Sequence, residues 1–178
     1  MKRKQRIRLT ALCAVLAALG VVLLSLGSII ESLDLSAAML ASLLITVAVI
    51  EGGGYWPWLT YAVVALISLL LLPNKFAAVA FILSGYYPIV KEKLERIRSR
   101  TVVWIIKLAS FNISLVLRLV IVRFLFTSID ISILPDNNAV LNHILTFALG
   151  NVIFLLYDLL LTRVVSLYII KLRNKIRF

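Results

Sequence analysis

The chain has 178 residues, 62% hydrophobic and 15% charged, with 19 Lys+Arg against 8 Asp+Glu for a formal charge of +11. Soluble domains run closer to half apolar and a quarter charged, so this composition excludes a water-soluble globular fold and predicts an all-α, polytopic integral membrane protein. Most of the basic residues fall in three short blocks beside apolar runs, which reads as a topology and lipid-headgroup signal and argues against nucleic acid as a partner.

The first block, Lys2, Arg3, Lys4, Arg6 and Arg8, precedes the uncharged run Leu9–Ile30. As a helix that run rises about 33 Å, enough to cross a hydrocarbon core of about 30 Å. A secretory signal starts the same way, but its apolar region is only about 7–15 residues long, so this segment is read as a retained first helix. The second run, Leu35–Ile50, lies between Asp34 and Glu51, the third spans roughly 54–73, and the fourth covers 76–90. The second and fourth are short and need tilt or local bilayer thinning to cross. After the basic stretch Lys91–Arg100 come a fifth helix over roughly 102–127 and a sixth over 139–170. The sixth exceeds a bilayer and must tilt, kink near Gly150 or project beyond it. Lys171, Arg173, Lys175 and Arg177 form the third basic block.

These runs make one membrane domain over 1–178 with six crossings. Cytoplasmic loops collect Lys and Arg, and the three basic blocks share one side only if an even number of crossings separates neighbours. Four crossings and then two satisfy this. The opposite loops hold Glu31 and Asp34, then Pro73-Asn74-Lys75, then Asp130, Pro135 and Asp136. Re-entrant second and fourth runs would leave four crossings and the same parity, so both versions place the termini in the cytoplasm of a multi-pass cell-membrane protein, as in a bacterial plasma membrane. Tyr55, Trp56, Trp58, Tyr61, Tyr86, Tyr87 and Trp104 then gather toward the cytoplasmic interface, where such rings are favoured.

Ionisable residues inside spans are costly and draw attention first. On the fifth helix Lys107, Ser114 and Arg118 share a face, and Asn112 joins them as a candidate; on the sixth, Asn151 and Asp158 are seven apart and Thr162 extends their face. Turned inward, Asp158 can pair with Lys107 or Arg118. Two readings stand open. One is a static seam of ion pair and hydrogen bonds. The other is a cavity for an anionic or polar solute lined by Arg118, Asp158, Asn151, Lys107 and Asn112, with Arg118 as the bidentate contact; the alternative for Lys107 is to snorkel to the inner surface. Arg123 and Arg163, nearer the span ends, are expected to snorkel. Glu51 before Gly52-Gly53-Gly54 marks a tight connection, and Asn142 and His143 stand near the outer start of the sixth helix.

Catalysis is not expected. One cysteine, Cys13, and one histidine, His143, leave no disulfide framework and no usual zinc constellation. There is no Gly-x-Ser-x-Gly elbow, His-Glu-x-x-His helix or phosphate-binding loop, so no cofactor is assigned either.

Along the first helix Ala11, Ala14 and Ala18 form a small-residue stripe that lets another helix approach closely, whether from this chain or from another subunit. A basic N-terminus, Ala14 and Ala18 in an Ala-x-x-x-Ala first helix, six short helices and internal termini resemble the substrate-binding S component of energy-coupling factor transporters. The resemblance implies docking of the first helix on a membrane coupling subunit that works with ATPases, and uptake of a vitamin or similar micronutrient. The short Glu31–Asp34 connection departs from the family's long lid loop, and no vitamin-specific signature is present. The size and helix count also resemble the small rod-shape subunit of bacterial cell-wall machinery, which implies the alternative of a scaffold or accessory protein.

Overall fold

The computed structural model describes the backbone of residues 3–30, 33–97, 99–125 and 139–172, and their side chains except at 122–125, 139–143 and 172. Every regular element there is helical: α1 (Arg3–Ile29), α2 (Asp34–Gly52), α3 (Trp56–Leu71), α4 (Lys75–Ser84), α5 (Tyr87–Leu94), α6 (Arg100–Leu125) and α7 (Ala139–Leu167), which passes into a π-helical turn at Tyr168–Leu172. Four segments are long and apolar enough to cross a membrane: Arg3–Ile29, Asp34–Gly52, Arg100–Ile121 and Ile144–Lys171. The fold is all-α, with the apolar helices of an integral membrane protein.

Local chemistry sets the boundaries. Pro57 and Pro88 sit in the first turns of α3 and α5, where a missing N–H breaks no helical bond. Gly53 and Gly54 hold φ of 57° and 56°, a left-handed backbone that glycine adopts without strain, and so turn the chain between α2 and α3. Asn74 caps α4 by accepting the Phe76 N–H at 2.9 Å.

The apolar stretch expected as one helix over 76–90 is divided into α4 and α5. Pro88 cannot donate to the Ser84 carbonyl, and Gly85 lies so close to Phe81 that an added Cβ would come within 2.8 Å of its ring. Gly85 and Tyr86 nevertheless keep right-handed helical angles, with φ/ψ of −69°/−20° and −75°/−20°, so the division is a kink in a continuing course. At the kink, the Tyr61 hydroxyl donates to the Ile82 carbonyl at 2.7 Å.

The described chain falls into two compact units. One is drawn from Met1–Arg96 with Leu161–Phe178, the other from Ile97–Leu160. In the first, α1 packs chiefly on α2 and then α3, and α2 also meets α4, α3 and α5. Its core is rich in alanine: Ala17, Ala38, Ala41, Ala77, Ala78 and Ala80 surround Leu24, Ile45, Val64, Leu72, Phe81 and Ile89. Small residues suit helices that associate in lipid, where close backbone contact replaces the hydrophobic drive. The tightest approach is Gly27 against Ala37, where a Cβ on the glycine would overlap the alanine methyl.

Polar contacts tie the ends of these helices. Asp34, expected in a loop on the outer side, is the first residue of α2; it is buried and accepts from Asn74 Nδ2 at 3.2 Å. Ser28 Oγ accepts from the Asn74 N–H at 3.0 Å and donates to its carbonyl at 3.2 Å. The end of α1, the start of α2 and the cap of α4 are thereby joined.

In the second unit the polarity is inverted relative to a soluble protein. Lys107 on α6 and Asp158 on α7 are buried, whereas Ile105, Ile113, Leu156 and Leu159 are exposed. Apolar residues outward and charges inward is the arrangement that a hydrocarbon surrounding favours.

Candidate functional site

The polar faces of α6 and α7 meet. Lys107 Nζ stands 3.2 Å from both carboxylate oxygens of Asp158, with 5% and 4% of the two residues exposed. The same ammonium lies 5.5 Å from the centre of the Trp104 ring, which adds a cation–π contact on its own helix. Of the two partners open to Asp158 from sequence, Lys107 is the one engaged. Arg118 sits further along α6 by about 16 Å at 1.5 Å per residue.

One turn along α6, Phe111 stacks on Phe154 of α7, with ring centres 4.4 Å apart and planes 16° from parallel. Another turn on, Leu115 lies over Gly150, where an added Cβ would come 2.5 Å from its Cδ1. Each step of four residues forward on α6 is matched by four backward on α7, so the pairs 107/158, 111/154 and 115/150 define an antiparallel helix pair in one register. Gly150, near which a kink was one of three ways to fit the long helix, is a place of close approach.

Asn112 and Asn151 complete the seam. Each Nδ2 donates to the other's Oδ1 at 3.2 Å, and each also donates to a carbonyl one turn back, Leu108 at 2.9 Å and Phe147 at 2.8 Å. Both N–H groups of each amide and both side-chain oxygens are therefore used, as a polar group in an apolar setting requires.

The remaining candidates fall elsewhere. Ser114 donates to the Ser110 carbonyl at 3.0 Å, within α6. Arg118 is half-buried. Thr162, expected on the Asp158 stripe, accepts from Lys91 Nζ at 2.7 Å in the first unit. The side chains of Arg123, Asn142 and His143, and residues Glu31, Asp130 and Asp136, lie outside the described residues. Lys107 was also open to reaching the inner surface; its burial against Asp158 turns it inward instead, because the carboxylate offers a better partner than a stretched path to water.

Lys91 was missed by sequence reasoning, which counted it only with the basic stretch Lys91–Arg100 as a topology signal. It is only 5% exposed, held by Thr162 and by Glu95 at 3.6 Å. The available signal was its position on α5: Tyr87, Pro88, Lys91 and Leu94 fall on one helical face, and all four are buried.

On α1 the Ala11, Ala14 and Ala18 stripe is exposed, as are Ile7 and Val22 on the same face. The contacts within this chain are made by the opposite face, through Cys13, Leu16, Ala17, Gly20, Leu24, Gly27 and Ser28. Among the described residues no group of three His, Cys, Asp or Glu side chains could hold a metal ion. No family model, curated protein or solved structure matches the chain.

Proposed function

We propose that this chain is a non-catalytic, membrane-embedded subunit of a larger membrane assembly, docked through α1, and that it serves as the solute-binding subunit of a micronutrient or vitamin uptake transporter. The observation that carries the reading is the outward small-residue face Ala11, Ala14 and Ala18, set opposite the face on which α1 packs in its own chain. A helix that already has its internal partners and still presents small side chains outward is suited to a second helix. The layout that resembles an energy-coupling factor S component supports the transport version. In it, six crossings with cytoplasmic termini require α3 and the kinked α4–α5 course to span along with the four longer helices. The uncharged part of that course, 76–90, rises about 22 Å, so it crosses only with tilt or local bilayer thinning.

Within this reading Lys107, Asp158, Asn112 and Asn151 hold α6 to α7, and Arg118 is the residue assigned to an anionic group on the solute. The test is native mass spectrometry of the purified protein. A retained small molecule at one per chain, lost in Arg118→Ala with helix content unchanged, supports the solute-binding subunit; retention unaffected by Arg118→Ala removes that assignment.

A scaffold or accessory role is the second reading. It is favoured by the mutual satisfaction of the α6–α7 side chains, which stabilises a helix pair without any ligand. Absence of a retained solute, together with an assembly that contains no nucleotide-hydrolysing subunit, would favour it over transport.

A further inference from the structure

The basic residues around α5 are not equivalent. Lys91 is buried and shared between Thr162 and Glu95. Arg96 pairs with Glu92 one turn away. Lys93, between them in sequence, is exposed and has no carboxylate partner among the described residues; its Nζ stands 5.9 Å from the centre of the Trp58 ring.

Trp58 is itself built into place. Tyr61 meets it edge to face at 6.1 Å between ring centres, and the Tyr61 hydroxyl is fixed by the Ile82 carbonyl. The indole remains 39% exposed despite this support. Beside it in sequence, Tyr55 stacks on Trp56 at 4.9 Å and keeps 58% of its surface exposed. The result is an ammonium resting on a fixed aromatic face, at the end of an apolar helix, with indole N–H and phenol O–H donors nearby in the chain.

We infer that Lys93 and Trp58 form a binding site for the phosphate of an anionic phospholipid. Indole and phenol rings favour the headgroup level, where the ring bodies lie among upper acyl chains and their polar edges reach water. A lysine there gains from the negative lipid surface, and a neighbouring aromatic face restrains its ammonium without neutralising it. Lys91 and Arg96 cannot substitute, since their charges are already engaged within the chain. This site goes beyond general attraction of basic blocks to headgroups, because it assigns the lipid to one side chain.

The full-length protein, purified in detergent and mixed with equal phosphatidylglycerol and phosphatidylcholine, tests the assignment by native mass spectrometry. Wild type is expected to keep phosphatidylglycerol in preference, Lys93→Ala to lower that retention about fivefold, and Lys93→Arg to restore most of it. Trp58→Leu, which keeps an apolar side chain but removes the ring face, is expected to reduce retention as well. Lys4→Ala removes the same charge from the exposed start of α1 and is expected to leave retention unchanged. Equal losses in Lys4→Ala and Lys93→Ala would reduce the effect to net charge and overturn the site, as would equal retention of the two lipids by wild type. Retention by Lys93→Ala equal to wild type, with unchanged helix content by circular dichroism, would overturn it too.

Discussion

Lys107 and Asp158 face each other across α6 and α7 with the ammonium 3.2 Å from both carboxylate oxygens, and both side chains are buried. Removing one partner leaves the other as an uncompensated charge in an apolar setting, at a cost of about 3–5 kcal/mol. Lys107→Met and Asp158→Leu are each expected to lower thermal stability in detergent markedly, while the double variant recovers much of the loss. A double variant no more stable than either single one would show that the pair is not the interacting unit.

The Asn112–Asn151 amides carry a smaller share. Interhelical hydrogen bonds in membrane proteins are worth about 0.6–2 kcal/mol, because the separated helices also find partners. Asn151→Leu is therefore expected to cost about 1 kcal/mol, clearly less than Asp158→Leu, when both are compared by the midpoint of unfolding in the same detergent.

Two glycines should respond differently to alanine. At Gly27 the new methyl meets the Ala37 methyl, which has no torsion to move, so α1 and α2 must separate; overpacking of this kind costs about 1–3 kcal/mol. At Gly150 the obstacle is the far end of the Leu115 side chain, which can rotate. Gly27→Ala is expected to destabilise more than Gly150→Ala, and Ala37→Gly is expected to rescue Gly27→Ala. Thermal unfolding of the three variants checks both statements.

Much of this arrangement was legible from sequence because membrane helices reverse the usual economy of polarity. An ionisable residue in an apolar run calls for a partner, and Lys107 and Asp158 stood on separate polar faces that could meet if both turned inward. The choice between Lys107 and Arg118 was less accessible, since it depends on the register between two helices distant in sequence. That register is fixed by Phe111 on Phe154 and by the lack of a side chain at Gly150, features that carry no long-range signal singly. The α4–α5 kink was visible only as Pro88; its position follows from the Ser84 carbonyl that Pro88 cannot bond and from the Phe81 ring over Gly85. On α1, small residues three or four apart lie on two faces, Ala14 with Ala18 and Ala17 with Gly20. Only packing decides which one turns inward. Lys91 was hidden for a related reason: its partner Thr162 is remote in sequence, and its neighbours made it look like part of a basic topology signal.

The outward α1 face is the centre of the functional reading, and its most direct test is the size and composition of the assembly extracted from native membranes in mild detergent. Ala14→Leu and Ala18→Leu enlarge side chains that make no core contact in this chain, so each variant should retain its helix content and unfolding midpoint. Wild type is expected to migrate in a complex that includes a nucleotide-hydrolysing subunit, and the leucine variants to be released as the free chain. A leucine variant that stays folded and remains in the same complex would contradict docking through α1.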